Sequence, residues 1–366
     1  MIDTVILNIE GGSIRSIKDE RVPDWDLHSK SNAFSKFTKN QTALQKRDGI
    51  YRPRVTGIKR GKSRIARIEF SVPRLIYGNN IDEVVDLDFL NVLKVLRERL
   101  VDLGIIVTEK TLREAKVSTF HPSKNIILSS HYTVSEVLTE LSKVNLTQKM
   151  ELTKQTFYNG GESLQFWSKS HSFVIYDKKK DYGKSKGGAS DKDRLPVTQS
   201  FLEQIYLMPE ILRMEVRLSE KRKMNEVLSK LKYDINPTFE DIFKVEICQK
   251  IVMYYWQSLI VNENRFVFSS VTTPQSFLKH SRRHFPEMKQ KQAIYLMGLL
   301  QAVKDDGGVT GLRKTLDLDK RSWYRLVEDL KGLDFLTMSE PDWISEIEAQ
   351  ISTFRTTRLK SLCKVL

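Results

Sequence analysis

Hydrophobic and polar residues alternate in several short stretches of the first 220 residues, as they do in strands with one buried face. Strands are predicted at Thr4 to Ile9, Arg64 to Val72, Ala115 to Phe120, Ser163 to Trp167, Ser172 to Tyr176 and Leu212 to Leu218. Apolar residues at helical spacing predict helices at Asp86 to Leu103 and at Val134 to Val144. Strands separated by helices predict an α+β fold whose sheet is mainly antiparallel and has flanking helices.

The character of the chain changes to helix almost throughout after Asn236-Pro237. Helices are predicted at Gln290 to Lys304, Val309 to Leu316 and Lys320 to Leu330, with Asp319 as the N-cap of the third. Two short helices joined by a tight turn are typical of a helix-turn-helix, whose second helix enters the major groove of DNA. The sequence therefore predicts a sheet domain at residues 1–234 and a mostly helical, helix-turn-helix-like domain at residues 235–366.

The charge balance indicates a polyanionic partner. Lysine and arginine number 60 against 46 acidic residues, which gives a net charge of +14. Neutralised phosphates release counterions, so an excess of lysine and arginine side chains favours a nucleic-acid partner.

The two cysteines and the start of the chain bear on where the protein is found. Cys248 and Cys363 lie far apart in the sequence and predict neither a disulfide framework nor a zinc knuckle. The start of the chain is typical of a strand and not of a signal peptide, and no apolar stretch is long enough to cross a membrane, so we expect a cytoplasmic protein.

Two predicted strands carry a carboxylate on their polar face. Glu69 lies beside Arg67, and Glu215 lies between Arg213 and Arg217. Such carboxylates suit Mg²⁺ or Mn²⁺, which prefer oxygen ligands. Ordinary surface ion pairs are the other interpretation of the same pattern.

A histidine and a tyrosine at strand ends are further candidates for chemistry. His121 is a candidate metal ligand, although strict alternation puts it on the face of Val117, so the role requires a bulge or a strand end. Tyr176 ends its strand and precedes three lysines, and a tyrosine oxygen can attack phosphorus. Tyr158 and Tyr182 are competing candidates. A histidine at a strand end and a tyrosine packed at a sheet edge are the simpler interpretations.

Taken in order, several short segments resemble the filamentous-phage gene II/gene X replication initiator family and related rolling-circle plasmid initiators. The segments are MIDTVIL at the start, RIEFSVPRLIYGNNIDEV at 67–84, SHSFVIYDKKKD at 170–181, ILRMEVRLSEK at 211–221 and RSWYRLVEDLKGL at 321–333. The corresponding family strand reads Arg-Ile-Asp, whereas this chain has Lys116-Val117-Ser118. Either His121 or Asp3 would replace the missing carboxylate.

The resemblance implies a metal-dependent endonuclease that nicks one strand at a phage or plasmid origin. Tyr176 would attack the backbone and leave a 3′-hydroxyl primer and a 5′-phosphotyrosine, Lys178 would stabilise the developing charge, and Glu69, His121 and Glu215 would hold Mg²⁺ or Mn²⁺. The implied partners are duplex and single-stranded origin DNA, a host helicase and a host DNA polymerase. The residues expected to contact DNA are Arg67, Lys179, Lys180, Arg213, Arg217, Lys320, Arg321 and Arg325.

Two other functions fit part of the pattern. A non-catalytic, sequence-specific DNA-binding regulator explains the charge and the predicted helix-turn-helix. A relaxase or transposase uses the same chemistry on a different DNA substrate. The chain has no Walker A loop, so it is not expected to carry its own helicase motor.

Overall fold

The strands of the chain come mainly from its first 220 residues. The computed structural model describes residues 1–16, 35–39, 48–61, 63–129, 131–144, 150–157, 160–182, 199–262, 268, 273–331 and 341–362. The strands in these residues are β1 (Ile2–Glu10), β2 (Arg15–Ser16), β3 (Ser35–Lys39), β4 (Arg54–Arg60), β5 (Ser63–Ser71), β6 (Ile105–Ile106), β7 (Lys116–Ile127), β8 (Glu151–Thr156), β9 (Glu162–Trp167), β10 (His171–Asp177) and β11 (Ile211–Leu218).

Nine of these strands form one antiparallel sheet. Their order across the sheet is β3-β4-β5-β1-β7-β11-β10-β9-β8, and β2 and β6 form a separate two-stranded sheet. Every neighbouring pair of the large sheet is antiparallel. The predicted α+β class with an antiparallel sheet is therefore confirmed. Three strands that the alternation did not predict, β3, β4 and β8, lie toward its two edges.

Helices connect the strands and dominate the second part of the chain. They are α1 (Val72–Tyr77), α2 (Phe89–Val101), α3 (Glu109–Arg113), α4 (Val134–Leu141), α5 (Lys178–Tyr182), α6 (Gln199–Leu207), α7 (Lys221–Lys230), α8 (Phe239–Ile242), α9 (Val245–Trp256), α10 (Pro274–His284), α11 (Gln290–Asp305), α12 (Val309–Thr315), α13 (Lys320–Lys331), α14 (Asp342–Thr353) and α15 (Leu359–Leu362). Among the described residues, no helix has the length and apolar character needed to cross a bilayer.

One face of the sheet packs against helices. Alternate residues of the strands, such as Leu7, Phe70 and Val216, join the same buried cluster as Leu96 of α2 and Ile251 of α9. This cluster contains residues from both sides of the predicted domain boundary at 234/235. Because the apolar side chains alternate with polar ones along each strand, the other face of the sheet carries the polar residues.

A β-bulge in β7 changes which side chains reach that polar face. Ile6 pairs with Thr119 and Leu7 pairs with Val117, so Ser118 is an extra residue in the strand. Val117 and Phe120 consequently both belong to the core. His121 then lies on the polar face, because Ser123, two residues further along β7, pairs with Glu215. The condition that the sequence set for His121 is met.

The predicted three-helix pattern near residue 300 is present as α11, α12 and α13. Asp319 caps α13, because its carboxylate accepts hydrogen bonds from the backbone N–H groups of Arg321, at 2.8 Å, and Ser322, at 3.1 Å. Trp323, Val327 and Leu330 of α13 are buried, while Lys320, Arg321 and Arg325 are exposed. The helix thus has one face for packing and one basic face.

The C-terminal segment returns to the end of β7. The side-chain amide of Gln350 donates to the carbonyl of Ile127 at 2.7 Å, and its oxygen accepts the Ile127 N–H at 2.9 Å. The buried carboxylate of Glu83 accepts hydrogen bonds from Lys124 Nζ at 2.8 Å, the Asn125 N–H at 2.7 Å and the Thr357 N–H at 2.9 Å. These bonds tie three distant parts of the chain together.

Candidate active site

Strands β7, β11 and β10 bring a group of polar residues together on the sheet face opposite the core. Glu215 of β11 pairs with Ser123 of β7 on one side and with Val174 of β10 on the other. Tyr176 pairs with Arg213 in the next row. Residues that pair directly across antiparallel strands point to the same face, so these side chains share one surface.

Glu215 lies at the centre of this group, and its side chain is almost fully buried. Its Oε1 atom is 2.9 Å from Arg217 Nε and 3.3 Å from His121 Nδ1. Burial raises the pKa of the Glu215 carboxyl, but the charges of Arg217 and His121 and the hydrogen bond from His121 lower it more, so its pKa lies well below the ordinary value. Glu215 is therefore a carboxylate at neutral pH.

Tyr176 donates a hydrogen bond from its hydroxyl to Glu215 Oε2 at 3.4 Å. The tyrosine is only 8% exposed. Burial raises the pKa of its phenol well above 10, because a phenolate is poorly stabilised away from water. The phenol is thus neutral in the resting protein, and its hydrogen is directed at a carboxylate.

Lys178 is buried at the start of α5, immediately after β10. Its Nζ atom is 3.6 Å from Asp181 Oδ2 and 5.5 Å from the centre of the Tyr176 ring. Burial lowers the pKa of the Lys178 ammonium to about 7, since desolvation disfavours the charged form. A lysine with such a pKa exchanges a proton near neutral pH.

Arg213 is completely buried beneath this surface. It forms an ion pair with Asp3 Oδ1 at 2.9 Å, and it donates to the Asn80 carbonyl, Asn125 Oδ1 and Ser123 Oγ at 2.9, 3.0 and 3.0 Å. Every one of these partners belongs to the protein, so the expectation that Arg213 contacts DNA is wrong for the structure as it stands. Arg213 instead joins β1, β7 and β11 under the polar face.

The structure does not bring Glu69 to Glu215. Both lie on the polar face, but Glu69 pairs with Ile6, and β5 is three strands away from β11. From strand spacing and rise, their Cα atoms are roughly 20 Å apart. One cation cannot bind both carboxylates, so a metal site that includes both glutamates is wrong for this arrangement.

The remaining donors form only a partial metal site. Among the described residues, no three His, Cys, Asp or Glu side chains lie close enough together to share a metal ion. His121 Nδ1 and Glu215 Oε1, at 3.3 Å, have the separation of two neighbouring ligands of one cation. The other alternative ligand, Asp3, is engaged by Arg213.

The remaining predicted residues lie at the edges of this group or outside the described part of the chain. Lys179 donates to the Met208 carbonyl at 2.6 Å, and Lys180 donates to the Gly160 carbonyl at 3.0 Å, so both hold the backbone around α5. Arg67 is partly exposed on the polar face. Tyr158 and the side chain of Tyr182 lie outside the described residues.

The sequence reasoning missed several partners of the site. Ser123, Asn125 and Asp181 bond to Arg213 or Lys178. The predicted strand ended at Phe120, so Ser123 and Asn125 were not expected on the sheet. A run of polar residues after His121 continues the alternation once the bulge is allowed, and that was the signal available.

Comparisons with known proteins leave the family open. No family model matches the chain, and no curated protein matches it. Among solved structures, the chain is similar to a rolling circle replication initiator protein from Geobacillus stearothermophilus, with 11% sequence identity and a TM-score of 0.29. The match covers 71% of this chain and 97% of the other. A similarity of this size carries no argument about function.

Proposed function

We propose that this chain nicks one strand of DNA at a replication origin, with the polar face around Glu215 as its active site. The observation that carries the proposal is the connected group of Tyr176, Glu215 and His121. The Tyr176 hydroxyl lies 3.4 Å from one oxygen of the Glu215 carboxylate, and His121 Nδ1 lies 3.3 Å from the other. These are the parts that phosphodiester cleavage by a tyrosine requires.

In the proposed reaction, the Tyr176 oxygen attacks the scissile phosphorus. A bond forms between the phenol oxygen and phosphorus, and the bond from phosphorus to the 3′ oxygen breaks. The products are a 3′-hydroxyl and a 5′-phosphotyrosine. The phenol proton leaves toward Glu215 Oε2, its hydrogen-bond acceptor, and the released 3′ oxygen takes a proton from a water molecule. Lys178 supplies a nearby positive charge, and Arg217, the more exposed of the two arginines next to Glu215, faces the incoming phosphate.

His121 and Glu215 are the residues that would hold Mg²⁺ or Mn²⁺. A carboxylate oxygen and an imidazole nitrogen are donors that such an ion accepts, and these two would hold it beside Tyr176. When bound, the ion would polarise the scissile phosphate. Arg217 Nε contacts Glu215 Oε1, the oxygen that His121 also contacts. Arg217 and a bound metal ion would therefore share the Glu215 carboxylate.

The basic face of α13 is proposed to bind duplex DNA near the origin. Lys320, Arg321 and Arg325 are exposed on a helix whose N-terminal end is fixed by Asp319. Helices of this kind insert into the major groove, and their N-terminal residues reach base edges. A host helicase and a host polymerase would then use the melted strand and the 3′-hydroxyl.

A test of the proposal is the appearance of a covalent protein–DNA adduct. The wild-type protein is incubated with Mg²⁺ and supercoiled DNA of the replicon that encodes it, and the products are separated on an SDS gel. Tyr176→Phe should abolish both the nick and the adduct while duplex binding is unchanged, because the ring remains and only the hydroxyl is lost. We expect a loss of at least about 10³-fold, as for removal of a nucleophile that acts with other groups.

Two matched variants show which tyrosine attacks. Tyr158→Phe and Tyr182→Phe should nick at the wild-type rate. If one of them loses the adduct and Tyr176→Phe keeps it, the nucleophile is reassigned and the nicking function stands. If the wild-type protein binds the DNA and never nicks it, the enzyme proposal fails.

The second candidate function is a non-catalytic DNA-binding regulator. The buried ion pair of Arg213 with Asp3 and the burial of Tyr176 favour it, since a structural network accounts for both. It predicts origin binding through α13 without any adduct. The gel assay above therefore separates the two functions.

A further inference from the structure

An exposed tryptophan lies on the same sheet face as the candidate active site. Trp167 ends β9 and is 38% exposed, whereas Trp256, Trp323 and Trp343 are all buried. Its neighbour Phe166 points to the core and stacks with Phe173. Alternation along β9 therefore places the indole of Trp167 on the polar face.

The strand register connects Trp167 to Arg217. Trp167 pairs with Ser172 of β10, and Ser172 pairs with Arg217 of β11. These three residues form one row across the sheet, in which a small buried serine lies between two large side chains. Arg217 continues the row to Glu215 through a 2.9 Å ion pair. From strand spacing, the Cα atoms of Trp167 and Glu215 are roughly 12 Å apart.

Charges of both signs lie near Trp167 along the chain and the sheet: Glu151 of β8 pairs with it on one side, and Lys169 follows it by two residues. Lys169 lies in the turn between β9 and β10, and the adjoining Ser170 carbonyl accepts hydrogen bonds from the backbone of residues 219 and 220. Lys169 is exposed. An exposed aromatic ring with Arg217 in the same row and Lys169 in the adjoining turn suits a ligand that has both flat apolar rings and negative charge.

We propose that Trp167 is a stacking platform for a base of single-stranded DNA, with Arg217 and Lys169 binding the phosphate backbone. Single-strand binding sites combine aromatic side chains under the bases with a basic surface along the phosphates. Duplex DNA does not fit this role, because its bases are already stacked on each other. The row leads from the indole toward Glu215. A base stacked on the indole would therefore hold the DNA strand with its scissile phosphate near the active site. This inference rests on the proposed nicking function.

The test measures the affinity of the full-length protein for a fluorescein-labelled 12-nucleotide oligo(dT) and for a 12-unit abasic backbone of the same charge. Trp167→Ala should weaken oligo(dT) binding about 5- to 100-fold, the range for one stacked base, and leave binding to the abasic backbone unchanged. Trp167→Phe should restore most of the affinity, because a smaller ring still stacks.

Tyr206→Ala is the matched control. Tyr206 of α6 is another exposed aromatic side chain, at 65%, and no strand row connects it to Glu215. Its removal should change neither affinity. Urea unfolding of each variant confirms that the fold is intact.

Two results would overturn the inference. Either Trp167→Ala binds oligo(dT) as tightly as the wild type, or it loses the same factor on both ligands, which would assign the effect to the backbone or to the fold. The nicking assay is scored separately. A wild-type protein that stacks oligo(dT) on Trp167 but forms no adduct keeps this inference and loses the proposed enzyme activity.

Discussion

Arg213 carries a positive charge in the interior of the protein, where it is costly unless paired and hydrogen-bonded. Asp3 balances the charge, and the Asn80 carbonyl and the side chains of Ser123 and Asn125 accept hydrogen bonds from the two terminal nitrogens of the guanidinium. The arginine therefore fixes the relative positions of β1, β7 and β11. Since Glu215 is two residues along the same strand, this buried network holds the carboxylate of the candidate active site in place.

His171 provides a pH-dependent test at the residue scale. Its Nδ1 atom is 2.8 Å from Ser168 Oγ and 3.0 Å from Ser170 Oγ, and its ring packs edge-on against Tyr255. Burial lowers the pKa of His171 from 6.5 to about 4. Because protonation favours the unfolded chain, the stability that the neutral ring provides is complete above pH 6.5 and is lost as the pH falls from 6.5 toward 4.

His171→Asn removes this titration and keeps a polar group near both serines. We expect the free energy of unfolding in urea to fall less steeply in the variant than in the wild type between pH 6.5 and 4. Above pH 7 the difference between the two proteins should not change with pH. Parallel curves over the whole range would show that His171 is protonated in the folded protein as easily as in the unfolded chain.

The sequence predicted the side of the sheet to which a side chain points wherever the strand was regular. Glu215, Arg217 and Tyr176 reach the polar face that alternation assigned to the first two. The sequence did not indicate that Glu69 lies three strands from Glu215, because alternation gives the face of a side chain and not the order of the strands. Nor did it indicate that Arg213 is buried, since an arginine on a polar face is ordinarily exposed.

At the scale of elements, the helices with clear caps and apolar spacing were predicted closely. The structure has helices at Gln290–Asp305, Val309–Thr315 and Lys320–Lys331, within about one residue of each expected boundary. The edge strand β8 was not predicted, because most of its residues are exposed and it has no apolar face to alternate. β7 was predicted at half its length, because the residues that follow Phe120 are mostly polar.

The cap of α13 gives a prediction about a single element. Asp319→Ala removes the acceptor of two backbone N–H groups at the first turn, which should lower the free energy of unfolding by about 1 kcal/mol. Asp317→Ala is the control, since this exposed aspartate has the same charge and lies two residues before the cap. Urea denaturation measures both variants. If both variants lost the same free energy of unfolding, the negative charge near the start of the helix, and not the cap, would account for the stabilisation.

At the scale of the whole molecule, Glu83 joins segments that are far apart in the sequence. Its carboxylate binds Lys124 and Asn125 of β7 and the backbone of Thr357 near the C-terminal end of the described chain. The change to helical character at Asn236 was visible in the sequence. The return of α14 and residue 357 to the sheet was not, because contacts over more than 200 residues leave no local pattern.

Glu83→Gln tests this connection. The variant keeps the shape of the side chain but leaves Lys124 buried without its opposing charge, which should cost about 3–5 kcal/mol. The free energy of unfolding in urea is the measurement. The double variant Glu83→Gln, Lys124→Met should recover part of the loss, because it removes the uncompensated charge. A single variant as stable as the wild type would show that Arg355 and Thr357, the other acceptors of Lys124, suffice.

The central position of β1 has a consequence for how the chain folds during synthesis. β1 lies between β5 and β7, although it is synthesised before both of them. At 5–20 residues per second, β7 emerges roughly 5–20 s after β1 is complete. Until then the strand that becomes the middle of the sheet has an unpaired, apolar edge, which is the kind of segment that chaperones protect from aggregation. We therefore expect the yield of folded protein to depend on keeping β1 apart from other chains until β7 is made.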